Sequence, residues 1–333
     1  MEDIHPPPVW HRARRLPVGI GLALLGACAW LRPAAWGGEP APPPAPARQE
    51  VATALARLAT SAGRNPADPL RLPRPLRVLL LADAKDHGAE EHDYPLWQQR
   101  WALLLGGRAA SSAAQVNLFG PPAADPAAVS GVEGLTILRG QNWPSPAQFA
   151  EASVIVAFCY LPWTLPRQAE LQRFLDRGGG LVLIHSATWT MPGPDPEVAK
   201  LTGVGGFLRY RHGPVEIKIT APEHPLCQGL PARIPCYDET YWPPVPPLDG
   251  ALFTTLAVSE EASQSGVEPA PQPIFWASQN GPGRVFGCVP GHYTWTFDDP
   301  WFRLLLLRGI AWAGGQPATC LDPLALRGAR VAP

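Results

Sequence analysis

Apolar positions along the chain gather into short unbroken runs, each closed by polar residues. Residues 77–82 read as a first buried strand. Residues 154–160 and 181–184 are continuous apolar runs of strand length, as parallel strands covered on both faces require. Residues 115–118 read as a second strand. Helical spacing occupies residues 94–105, with Pro95 in the first turn, and residues 166–177, where Leu171, Phe174 and Leu175 share a face. Gly178-Gly179-Gly180 ends that second helix. Strand, helix and strand at this spacing imply a right-handed βαβ unit.

Beyond His185 the pattern changes. Residues 215–220 alternate, as a half-exposed antiparallel strand would. Residues 252–258, 273–277 and 284–289 read as further strands, the last two joined by a turn at Gly281-Pro282-Gly283. Residues 300–313 form a closing helix with an apolar face from Trp301, Leu304, Leu305, Ile310 and Trp312. A short helix is expected over 51–60, and no internal repeat is visible. Residues 121–131 read as a long loop, and residues 243–247 are proline-rich.

The first seventy residues have a different character. His11-Arg12-Ala13-Arg14-Arg15 supplies positive charge ahead of an apolar run from Leu16 to Leu31. That run is shorter than the ~20 residues of a comfortable membrane span and reads as an export signal. Ala27-Cys28-Ala29 resembles a cleavage site and Leu25-Gly26-Ala27-Cys28 a lipobox, so a cleaved signal peptide and a lipoprotein leader both stand, beside an uncleaved anchor. The expected division is 1–36 leader, 37–75 Pro/Ala-rich linker and irregular segment, 76–315 α/β domain, and 316–333 irregular tail. Export would place the protein in the periplasm or lipid-anchored to the cell envelope, touching membrane only through the leader or its lipid.

Composition narrows the partners. A net charge of −1 over 333 residues gives no electrostatic case for nucleic acid. The six cysteines form no CxxC pair, which argues against a zinc ribbon. Under export, Cys227 with Cys236 is the first disulfide to test, whereas Cys159 and Cys288, in apolar strands, read as buried thiols. Self-association into a homo-oligomer is left open.

The chemistry gathers at strand ends. Three apolar strands run into histidines: His87, His185 and His292. In open α/β sheets ligands bind at the carboxyl ends of the strands, so these imidazoles are expected to converge. The first loop also carries Asp86, a candidate proton shuttle, and Glu90, Glu91 and Asp93, which suit a helix start. His185 stands at a strand-to-loop corner that lacks the flanking glycines and the nucleophile of a hydrolase elbow. A neutral imidazole there would ligate a metal or move protons. In the extended stretch around Asp238 and Glu239, alternation sends the two acids to opposite faces, so one of them enters the site. Trp189, Tyr241, Tyr293 and Trp295 are candidate stacking surfaces for a sugar. His212 and His224, at turns, read as structural or surface residues.

These residues carry a resemblance. Lys85-Asp86-His87-Gly88, the run from Gly178 to Ala187, Glu223 to Leu230, Asp238-Glu239-Thr240-Tyr241, Gly283 to Phe286 with Pro290-Gly291-His292, and Arg308 to Gly315 resemble the ThuA-like (trehalose-utilisation) family over about residues 76–315. The resemblance implies a class I glutamine amidotransferase-like, flavodoxin-like α/β fold: a mainly parallel sheet with helices on both faces and an antiparallel extension. It implies a role in carbohydrate metabolism, selects Glu239 over Asp238, and points to His185, Glu239, His292 and His87 as both catalytic groups and ligands of a divalent metal such as zinc. Related folds carry a cysteine–histidine–glutamate triad; His185-Ser186 at the corner departs from it.

The resulting expectation is an exported protein performing metal-assisted hydrolysis, isomerisation or elimination on a small (keto-)sugar. Asp86, His87, His185, Glu239 and His292 would act catalytically. The alternatives are a non-catalytic saccharide-binding module or surface lipoprotein, and a cysteine hydrolase built on a reactive Cys159.

Overall fold

The computed structural model describes residues 39–61, 63, 70–106, 115–122, 132–247, 253–262 and 268–333. The expected leader with its two processing readings and Cys28 lies outside the described residues, as does most of the 121–131 loop. Among the described residues no helix is long and apolar enough to cross a membrane.

A nine-stranded sheet carries the α/β unit. Strands β1 (Arg71–Ala82), β2 (Glu133–Gln141), β3 (Val154–Ala157) and β4 (Gly180–Ile184) are followed by a long β5 (Phe207–Ile219) and β6 (Arg233–Pro244). Then come β7 (Thr254–Ala262), β8 (Pro269–Asn280) and β9 (Gly283–Cys288). Their spatial order is β2-β1-β3-β4-β9-β8-β7-β5-β6. The first five in that order pair in parallel, and from β9 onward every pairing is antiparallel. The sheet is thus evenly mixed rather than mainly parallel, because the expected extension is a full arm of four strands.

The parallel half explains the apolar runs. Every residue of β3 and β4 is buried, which requires cover on both faces. That cover comes from α2 (Tyr94–Gly106) against β1 and β2, α4 (Leu165–Asp176) against β9, and α6 (Pro300–Ala313) against β3, β4 and β9. The strand order reverses at β1, whose successors lie on opposite sides of it. In such sheets this leaves a crevice at the carboxyl edge between β1 and β3.

Three elements differ from the sequence reading. Residues 115–118 are not a strand: the Leu118 and Phe119 amides are held by the Asp298 carboxylate at 2.8 and 2.7 Å. The second strand is β2, an edge strand with no fully buried residue, so its apolar alternation is weak. β1 begins before Leu76, and its pairing with β2 skips from Arg71 to Leu76, so Pro73 and Pro75 sit where no ladder bond is needed.

The expected linker and tail are also part of the fold. Residues 39–333 cluster as one compact unit. Ala47 bridges Ala332, Val51 of α1 (Arg48–Ser61) is fully buried, and α1 packs on the 3-10 turn Ala318–Leu324. That turn covers α6, whose residues are buried almost all round rather than on one face. Two arginines of α6 are consequently interior and paired: Arg303 with Asp298 at 2.7 Å and Arg308 with Asp322 at 2.9 Å. Cys227 and Cys236 do not join; Cys159, Cys227, Cys236 and Cys288 are free thiols.

Candidate functional site

At the carboxyl edge, β4 ends in an elbow. His185 follows Ile184 with a φ of 50°, a left-handed conformation that is costly for a side-chain-bearing residue, and opens the 3-10 turn His185–Thr188. The corner is sharp without flanking glycines because room is made elsewhere. Gly291 has a φ of 140°, and a Cβ on it would come within 3.1 Å of both His185 Cβ and Ile184 Cγ2. His185 Nδ1 lies 2.7 Å from the Val289 carbonyl, so the ring donates its Nδ1 hydrogen there and turns Nε2 into the crevice.

Across from it stands His92, from the loop after β1. Left-handed residues at Glu90 (φ 63°) and His92 (φ 42°) turn this loop back against the segment after β9. The His92 amide bonds the His292 carbonyl at 2.9 Å, and the Thr294 amide bonds the Glu90 carbonyl at 2.8 Å. His92 Nδ1 faces Asp86 Oδ1 at 3.0 Å and the Tyr94 hydroxyl at 2.8 Å. With Nδ1–H given to Asp86, Nε2 carries the lone pair, and it points at His185 Nε2 from 2.9 Å. In this tautomer two acceptor nitrogens confront each other, an arrangement satisfied by a shared proton or by a metal cation.

Glu239 and His292 complete the cluster. Glu239 Oε2 lies 3.2 Å from His185 Nε2 and 3.0 Å from His292 Nδ1, and it accepts the Tyr241 hydroxyl at 3.2 Å. The His292–Glu239 contact is off the hydrogen-bond direction, and both nitrogens of this buried ring lack a hydrogen-bond partner. The donor atoms of His92, His185, Glu239 and His292 all lie within 4.8 Å of one another, a grouping able to hold a metal ion.

The electrostatics follow from this crowding. Burial holds His92 down to about 3, against the pull of Asp86 and helped by the neighbouring imidazoles, so the ring is neutral at pH 7. Burial would raise Glu239, but His185 and His292 outweigh it and keep the carboxyl well below the usual carboxylate range. Burial opposes charge on His292, yet Glu239, Asp238 and Glu91 together lift it above the ordinary imidazole value.

The structure brings three of the four expected ligands together and replaces the fourth. His87 is an exposed residue whose Nδ1 binds Asp86 Oδ1 at 2.7 Å, with its ring 3.8 Å from that of His92. His92, not His87, enters the cluster, because the loop's left-handed turns reverse its direction after the strand end. Asp86 reaches the site as the partner of both rings. Asp238 and Glu239 diverge as alternation requires, Asp238 onto backbone amides and Glu239 into the cluster.

The expected stacking residues fare differently. Trp295 is buried, lies parallel to Tyr293 at 4.3 Å and donates to the Tyr237 carbonyl, so neither of these two rings offers a face to a ligand. The ring of Tyr241 stacks on His185 and only its hydroxyl faces the cluster. Trp189 is half-buried and meets the exposed Tyr210 edge to face at 5.9 Å. Tyr210 and His212 are the functional candidates that sequence reading missed. His212 pairs with Glu239 in the β5–β6 register, and its Nε2 lies 3.5 Å from Glu239 Oε1 at the open side of the cluster. The strand that carries both, β5, begins at Phe207, well upstream of residue 215, and its first exposed residues show no two-residue period. Cys159 is fully buried, and burial pushes its thiol up to about 12, which removes the thiolate a cysteine hydrolase needs.

Comparison with known proteins agrees with this picture at the level of family and fold. No curated protein matches the chain. A ThuA-like protein from Bacteroides uniformis ATCC 8492 is 19% identical, with a TM-score of 0.53 over 75% of this chain and 95% of its own. A ThuA-like protein from Parabacteroides merdae ATCC 43184 is 16% identical, with a TM-score of 0.48 over 72% of this chain and 90% of its own. The first of these likenesses shows a shared fold. The profile of the family described as "ThuA: Trehalose utilisation" matches residues 145–313, about half of the chain, and includes β4, β6, β9 and α6 with His185, Glu239 and His292. The chain belongs to the ThuA family.

Proposed function

We propose that this protein is an exported carbohydrate-active enzyme that uses a divalent metal such as zinc to hydrolyse, isomerise or eliminate on a (keto-)sugar. Family membership supports the sugar, and the two confronting Nε2 atoms of His92 and His185 carry the metal. Three imidazoles and one carboxylate are a donor set suited to zinc. The parallel strands, in the order β2-β1-β3-β4-β9, support a flavodoxin-like core whose crevice is the site.

Held by His92, His185, His292 and Glu239, the ion would supply Lewis acidity to a sugar hydroxyl or carbonyl. The chain's own groups do the rest. The Val289 carbonyl and Asp86 fix the two Nε2 lone pairs toward the centre. The exposed Asp86–His87 pair takes up and returns a proton at the rim. Trp189 and Tyr210 give the sugar ring an apolar face beside the cluster.

Metal analysis of the purified protein tests this reading. His92→Ala, His185→Ala and His292→Ala are expected to lose bound metal, whereas His87→Ala retains it. Unchanged metal content in the first three removes the proposal. The exposed Tyr210 beside Trp189 also favours a non-catalytic saccharide-binding role. That reading predicts sugar affinity that survives chelation. Export, to the periplasm or to a lipid anchor at Cys28, rests on the leader pattern and is tested by cell fractionation.

A further inference from the structure

We infer that Asp238 is a positioning residue whose single carboxylate locks the backbones of Glu239 and His292, two of the four clustered donors, in fixed relation. The inference rests on the proposed metal centre and extends it to the residue that assembles it.

Asp238 is fully buried. Its Oδ1 accepts the amide hydrogens of Glu239 at 2.7 Å, Gly291 at 3.0 Å and His292 at 2.9 Å. Its Oδ2 accepts the Thr296 hydroxyl. Four donors thus fill the carboxylate. A carboxylate removed from water is tolerated only when its acceptor sites are satisfied in this way.

The placement has a purpose the fold does not otherwise serve. Glu239 lies on β6 and His292 just after β9, and these strands are not neighbours: β6 pairs with β5, and β9 with β4 and β8. No ladder joins the two donor-bearing segments. Asp238 ties them by three charge-assisted bonds to the segment after β9, at Gly291, His292 and Thr296, and one to the Glu239 amide, the strong class of hydrogen bond. The Trp295 indole adds a neutral tie to the Tyr237 carbonyl at 3.1 Å, one residue further out. An amide in place of the carboxylate keeps the shape and loses the charge. Its single oxygen can take the place of Oδ1 but not of Oδ2, where an NH2 group would meet the Thr296 hydroxyl.

Titration of the full-length protein with Co²⁺, read by visible absorption, tests the inference together with the melting temperature of the metal-free protein. Asp238→Asn is expected to weaken Co²⁺ binding about 10- to 100-fold, the usual effect of removing an outer partner of a metal site, and to alter the absorption band. Trp295→Phe, which removes only the neutral tie, is expected to lower the melting temperature and leave affinity and band unchanged. Should Asp238→Asn not fold, Thr296→Val frees Oδ2 alone and is expected to shift the band in the same direction. Wild-type affinity and an unaltered band in the Asp238 or, failing that, the Thr296 variant overturn the inference while the metal reading stands. A wild-type protein that binds no Co²⁺ overturns both.

Discussion

Glycine at position 291 is demanded twice, by its φ of 140° and by the 3.1 Å approach its Cβ would make to His185. Gly291→Ala is therefore expected to cost about 1–3 kcal/mol from backbone strain alone, read as a lower denaturant midpoint. An unchanged midpoint would mean that the elbow relaxes freely. His92 sets a pH dependence for the metal-free protein. Its folded value of about 3 lies below the ordinary 6.5, so above pH 6.5 both folded and unfolded states are neutral and its contribution is complete. As the pH falls below 6.5 the unfolded chain takes up the proton first, and stability is lost progressively toward pH 3. Glu239 acts in the same direction, its depressed carboxyl losing its contribution as the pH falls from the ordinary carboxylate value toward its own lower one. His292 acts oppositely, its raised value contributing fully below 6.5 and less as the pH climbs through the folded value. Melting temperature measured in chelator should fall from pH 7 to pH 4. His92→Asn should flatten that fall, and a slope unaffected by the substitution would locate the acid sensitivity elsewhere.

Among elements, α6 shows how a helix can be hydrophobic nearly all round and still need charge. Asp299 caps it, accepting the Trp301 and Phe302 amides at 2.9 and 3.0 Å, and Pro300 takes the first position where no amide is required. Arg308 lies wholly buried against Asp322 of the covering turn. Asp322→Ala would leave that guanidinium without its counter-charge, held only by the Leu226 and Gln228 carbonyls, and is expected to cost about 3–5 kcal/mol in chemical denaturation. Replacing Arg308 and Asp322 together by apolar residues should cost far less, and equal losses would argue against the pair as the cause. The long β5–β6 ribbon was legible only in part. Alternation of Val215 and Ile217 marked its middle, whereas Leu208, Arg209 and Tyr210 near its start are all exposed and gave no two-residue period to read.

For the whole molecule, the two ends of the described chain meet. Arg48 and Ala332 are bonded through the backbone at 2.9 Å, and the Arg330 guanidinium bonds the Pro43 carbonyl at 2.6 Å. Leu321 and Leu324 are fully buried. Deletion of residues 316–333 should uncover α6 and abolish the cooperative thermal transition; a truncated protein that melts like the full chain would show that the tail is dispensable. The site itself is a whole-molecule product. It draws one residue from the loop after β1, one from the end of β4, one from β6 and one from the loop after β9.

The sequence alone determined what local chemistry can determine: buried parallel strands from unbroken apolar runs, helix ends from proline and glycine, and histidines at two strand ends that do meet. It also separated Asp238 from Glu239, because a strand's two-residue period is a local rule. Tertiary structure decided the rest. Whether His87 or His92 turns inward depends on the path of a loop whose left-handed residues are held by the distant segment around His292. Which aromatic rings are buried, which tail covers α6, and which carboxylate joins two unpaired strands are settled by contacts between residues far apart in the chain, and hydrophobic periodicity carries no record of those partners.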